Sequence, residues 1–199
     1  MGNDIESYKI WYPYEAFYIE SMLIVARSAM TAQTDLQIII EALENGEPST
    51  QEKTEYVIDL IQTFLVGAAA LSRYFWPVRN KGEKNKMHIL RAERLREAFN
   101  MPDDSALKIR DLRNCMEHFD EELDTYLSKG IAGTIVPSAI GNINNDQGVY
   151  HFIRAFHTST WTFEILGNKV EIIPLMKEVI RVFLLLEKFR IDGGRLPRS

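Results

Sequence analysis

The 199-residue chain has a single cysteine, Cys115, so no intrachain disulfide can form. It has no apolar run long enough to cross a bilayer without charges. Its opening residues, MGNDIESYKIWYPY, lack the basic-then-apolar layout of a secretory leader. Gly2 follows Met1, but Glu6 breaks the myristoylation pattern. No Gly-rich phosphate loop or HExxH zinc motif occurs, and the Glu-x-x-His pairs of a di-metal carboxylate bundle are missing. These absences set aside disulfide scaffolds, membrane spanners and the common metal enzymes. They point to a cytoplasmic protein with no cofactor, no metal and no membrane partner.

Helical periodicity dominates what is present. Ile19, Met22, Leu23, Ala26 and Met30 mark a first helix over about residues 14–44, ended by Asn45-Gly46 and Pro48. Ser49 and Glu52 have the spacing of a capping box. The second helix carries the stripe Val57, Leu60, Ile61, Phe64, Ala68, Leu71 and Phe75, and Pro77 closes it. A short helix follows over about 87–99. A fourth, capped by Asp103 or Asp104, is expected to run unbroken to Ser128, with Gly130 at its end. Residues 130–148, rich in Gly and Asn, read as an irregular loop.

Between 149 and 173 the period falls to two. Trp161, Phe163 and Ile165 alternate with polar neighbours, and Gly167-Asn168 has hairpin turn chemistry. An antiparallel β-meander is expected there. Pro174 then opens a last helix with the stripe Leu175, Val179, Val182, Leu186 and Phe189, and the tail GRLPRS reads as frayed. The expected architecture is one mainly α domain over 1–199, an up-and-down bundle of about five helices with the meander inserted before the last.

Charge is unevenly spread. The chain has a net charge of −5, yet residues 79–96 hold seven basic and two acidic side chains. Arg79, Lys81, Lys84, Lys86, Arg91 and Arg94 are therefore candidates for holding a phosphate backbone. A plain solvated surface accounts for the same run equally well. The aromatics Trp11, Tyr12, Tyr14, Phe17 and Tyr18 can stack bases, but read first as a packed chain end.

The residues with most chemistry are Arg113-Asn114-Cys115-Met116-Glu117-His118. Ile109, Leu112, Met116, Phe119, Leu123 and Tyr126 step by three and four, which defines a buried seam. Against that seam Asn114 and His118 lie one turn apart on the outward face, and Arg113 lies on the flank. A histidine kept for packing would sit on the seam. Alternatively, Arg113 and Glu117, four apart, form a surface ion pair and the others are solvated. Cys115 borders the seam without a histidine partner in sequence and reads as structural. The acidic run Glu117, Asp120, Glu121, Asp124 reads as a solvated face, and His151 and His157 as ordinary strand residues.

Arg113-Asn114-x-x-x-His118 on a helix of an all-helical bundle resembles the signature of the HEPN superfamily (higher eukaryotes and prokaryotes nucleotide-binding domain). The continuation through Phe119-Asp120-Glu121 is similar to bacterial members. The resemblance covers residues 104–128, and by bundle topology extends loosely over 14–128 and 174–190. It implies a metal-independent RNA endonuclease whose composite site forms where two motif helices meet in a homodimer. His118 would move the proton of a ribose 2′-OH, Arg113 would bind two phosphate oxygens, and Asn114 would orient the phosphate or His118. The product would be a 2′,3′-cyclic phosphate. A toxin or defence role with an antitoxin partner goes with this reading. The family also implies an alternative: a non-catalytic module that binds a nucleotide, an RNA or a protein.

Overall fold

The computed structural model describes residues 10–77, 84–142 and 148–198, with backbone alone at 84–86. The described chain is mainly helical, with a small four-stranded mixed sheet before the last helix. In order the elements are α1 (Tyr12–Glu44), α2 (Gln51–Phe75), α3 (Lys84–Ala98), α4 (Arg110–Glu117), α5 (Phe119–Leu127), β1 (Thr134–Gly141), β2 (Tyr150–His157), β3 (Thr162–Ile165), β4 (Asn168–Glu171) and α6 (Ile172–Ile191).

The long helices form where their apolar stripes demand it. All seven stripe residues of α2 and all five of α6 are buried, as are Ile19, Met22, Leu23 and Ala26 of α1. α1, about 50 Å long at 1.5 Å per residue, packs against α2 on one side and α6 on the other. Ser21 meets Tyr74 and Ala29 meets Gly67, so α1 and α2 run antiparallel. Arg27 meets Glu187 and Ala16 meets Gly194, so α6 does the same. Close approach is essential at Gly67, where an added Cβ would fall 2.8 Å from Ala29 Cβ and 3.1 Å from the Val25 carbonyl oxygen. By length and hydropathy α2 is the one described helix able to cross a membrane, but 61% of its apolar window is buried inside this bundle.

Several local expectations are corrected. Thr50, not Ser49, caps α2, its hydroxyl accepting from the Lys53 amide at 3.2 Å. The fourth helix starts at Arg110 rather than near 104. Ser105 explains the delay: its Oγ accepts from the Leu107 amide at 3.2 Å and donates to Glu178 Oε1 of α6 at 2.9 Å. A serine bonded this way folds its own backbone into turns and competes with helix. The same helix is broken at His118, which has φ −117° and ψ 40°. The break falls where the packing partner changes. α4 buries Leu112, Arg113 and Cys115, whereas α5 buries nothing fully and leans on the sheet. Phe119 lies under the Arg154 guanidinium at 4.3 Å, and Tyr126 Oη bonds His151 Nδ1 at 2.8 Å.

The antiparallel meander is also corrected. Thr134–Gly141, read as loop, is an edge strand parallel to β2, and only β2-β3-β4 is antiparallel. Pro137 lies in β1, where its missing N–H is tolerated because the strand is at an edge. The hairpin turn is Leu166-Gly167, both with positive φ (48° and 80°), and Asn168 already pairs with Ile165. Phe156, Phe163 and Ile165 join the common core. The tail is not frayed up to residue 198: Leu196 is buried and its amide donates to Glu15 Oε2 at 3.2 Å.

Candidate functional site

The motif residues separate at the turn of helix that carries them. Asn114 is exposed. His118, with a 60% exposed side chain, stands at the break with Glu121 Oε1 3.8 Å from its Nδ1. Arg113 does not lie on a flank: it is 2% exposed, in the floor of a cleft of about 270 Å³. The cleft opens between the end of α2, α3 and the start of α4. Among the described residues Arg96, Lys108 and Arg110 line it with Arg113, against one carboxylate, Glu93. Trp76, Ile89 and Ala92 give it an apolar wall.

Burial of Arg113 follows from α4's orientation, which turns 112, 113 and 115 inward together. Among the described residues the buried Nε of Arg113 has no hydrogen-bond partner. Burial lowers the guanidinium's pKa, and the like charges of Arg73 and Arg110 lower it further. An ion pair with Glu117 is not formed; Glu117 bonds Arg73 of α2 instead. A buried cation facing other cations is a costly arrangement that an anion in the cleft would relieve. Arg is the side chain best fitted to bind two phosphate oxygens at once.

One chain thus brings Arg113 together with Arg96, Lys108 and Arg110, while Asn114 and His118 are linked by the backbone bond from the His118 amide to the Asn114 carbonyl at 3.0 Å. Neither Asn114 nor His118 lines the cleft. Arg96 was not among the candidates of the basic strip, and Lys108 and Arg110 were missed in the sequence as well. Their signal is the spacing of cations in Lys108-Ile109-Arg110-Asp111-Leu112-Arg113, which puts three of them within two turns.

The basic strip divides. Arg79 and Lys81 lie outside the described residues, as do the side chains of Lys84 and Lys86. Arg94 pairs with Glu97 at 3.0 Å and donates to the Pro197 carbonyl. Arg91 stands 5.8 and 5.6 Å from the ring centres of Tyr18 and Tyr74 and donates to the Arg73 carbonyl at 3.2 Å. Cys115 is buried, and burial, then Glu122, raises its pKa while the Asn168 amide opposes the shift; a thiol so held is a poor nucleophile. His157 bonds Glu164 at 3.0 Å, and His151 bonds the Ala132 carbonyl at 3.1 Å as well as Tyr126. Among the described residues no three His, Cys, Asp or Glu side chains cluster to hold a metal ion.

The fold and the cleft define a helical domain with a small mixed sheet and a buried arginine at the floor of a cationic cleft. Comparison with family models, with curated proteins and with solved structures found no match to this chain.

Proposed function

We propose that this chain is a HEPN-like bundle that cleaves RNA without a metal ion, acting in the cytoplasm as a homodimer through the motif helix. The observation that carries the reading is Arg113, buried and, among the described residues, lacking a partner at Nε in a cleft lined by Arg96, Lys108 and Arg110. It adjoins exposed Asn114 and lies five residues before exposed His118. The cleft suits a phosphodiester, and His118 is exposed enough to serve a site shared with a second copy. In that site His118 accepts the proton of a ribose 2′-OH as its oxygen attacks phosphorus. The bond from phosphorus to the 5′ oxygen breaks, and that oxygen leaves with a proton returned by the His118 imidazolium. The ends are a 2′,3′-cyclic phosphate and a 5′-hydroxyl. A toxin or defence role, restrained by an antitoxin, extends the same reading.

A second reading has its own support. Neither Asn114 nor His118 lines the cleft of its own chain, which suits a non-catalytic module that holds a nucleotide, an RNA or a protein partner. Incubation of labelled single-stranded RNA with EDTA separates the two. Wild-type protein is expected to yield cyclic-phosphate ends, and His118→Ala and Arg113→Met are not. Absence of cleavage by wild type across varied RNAs refutes the ribonuclease reading and leaves the binding module.

A further inference from the structure

We infer that the groove between the N-terminal part of α1 and the C-terminal end of α2 stacks the unpaired bases of a single-stranded nucleic acid. The inference deepens the RNA-handling reading above by naming the surface that holds the strand and the part of the strand it recognises.

The aromatic chain end is not packed away. Trp11, Tyr14 and Phe17 are 61%, 53% and 74% exposed, which corrects the first reading of this cluster as a packed chain end. Trp11, Tyr14, Tyr18 and Ser21 recur at three- and four-residue steps, so they follow one side of α1. Phe17 and Tyr18 continue into a groove of about 470 Å³ shared with Tyr74, Arg73 and Arg91. Tyr74 is fixed there by a 2.6 Å bond between its hydroxyl and Ser21, and Arg91 is held near both tyrosine rings. Exposed rings beside fixed guanidinium groups are what sequence-tolerant single-strand binding uses, because every base has a π face and every linkage a charge.

The occupant follows from the arginines. Arg73 and Arg91 line the groove, and among the described residues no carboxylate does. A purely apolar partner, or an apolar face of a second copy, would take these charges out of water without supplying a counter-charge, at a cost. A phosphate supplies the counter-charge while the bases cover Phe17 and Tyr14. The groove is also continuous with the motif helix, because Arg73 both lines it and bonds Glu117, the neighbour of His118.

The test uses a labelled single-stranded DNA 12-mer, which lacks the 2′-OH and so reports binding alone, read by fluorescence anisotropy. Phe17→Ala and Tyr14→Ala, both exposed positions, are each expected to weaken binding about five- to a hundredfold. Ile38→Ala, exposed at the far end of α1, is expected to leave it unchanged, and the same oligomer as a duplex is expected to compete poorly. Equal affinities across the variants overturn the proposal, as does absence of binding by wild type. A change in the sedimenting mass of the DNA-free protein with Phe17→Ala also overturns it, by showing a protein interface. Cleavage of RNA in EDTA together with Phe17-independent binding would sink the groove and leave the ribonuclease reading. Phe17-dependent binding without any cleavage would do the reverse.

Discussion

Replacing Arg113 with methionine should stabilise the fold while removing phosphate binding. Methionine matches the length of the arginine stem and its apolar contacts but carries neither the charge nor the N–H groups. Arg113 is 2% exposed with Nε unpartnered, and Arg73 and Arg110 oppose its charge. A buried polar group left unsatisfied costs about 1–3 kcal/mol. Arg113 lines a cleft open to solvent, so the lower part of that range, about 1–2 kcal/mol, applies here. For a chain of this size each kcal/mol moves the midpoint by about 2–4 °C, which predicts a rise of about 2–8 °C for Arg113→Met. The assay is thermal and urea unfolding followed by circular dichroism in phosphate-free, low-salt buffer. Adding inorganic phosphate or pyrophosphate should then stabilise the wild type, by about 2.7 kcal/mol at a hundred times Kd, and leave the variant unchanged. A variant less stable than wild type would refute the reasoning, because Arg113 would then be holding the structure rather than waiting for an anion.

Two further outcomes test the packing and the charge network. Gly67→Ala should destabilise, because overpacking costs about 1–3 kcal/mol and the gain in helix propensity returns only about 1; adding Ala29→Gly should recover most of the loss in urea unfolding. Glu178 accepts from Arg181 at 2.8 and 2.9 Å and from Ser105 at 2.9 Å. The Arg181 bonds lower its pKa most, burial opposes, and the Ser105 bond adds to the lowering. A carboxyl with a lowered folded pKa contributes stability above its unfolded value, about 4.3, and loses it as pH falls through the folded value. Glu178→Gln should therefore be less stable than wild type at pH 7, and the difference should shrink as unfolding is measured at progressively lower pH.

What the sequence made legible is what depends on one-dimensional spacing. The stripes of α2 and α6 could be read because a single apolar face against a single core leaves a regular period. The residues near the motif were harder because several partners compete for them. Ser105 would permit helix were Glu178 not there to bind it, and Glu178 is 73 positions away. His118 carries no helix-breaking chemistry; the break reflects a helix that leaves the bundle for the sheet. β1 was hidden by Pro137 and by flanking Gly and Asn, and strand character there comes from pairing with β2. At the candidate site the outward position of Asn114 and His118 was readable from the seam. The burial of Arg113 was not, since it depends on how α4 as a whole is tilted against α2 and α3.

The bond from Leu196 to Glu15 joins positions 181 residues apart and has a consequence for how the protein is made. Glu15 is 4% exposed, in the first turn of α1. During synthesis α1 and α2 emerge with most of their apolar stripes complete and can pair at once, since they are neighbours in the chain. The carboxylate of Glu15 then lacks its backbone donor until residue 196 has been added and the tail has crossed the end of α1. The helical hairpin therefore exists first with that end open to water. Residue 196 closes it, so the seat of Glu15 is completed by chain made long after α1 and α2 have paired, rather than by the helices that surround it.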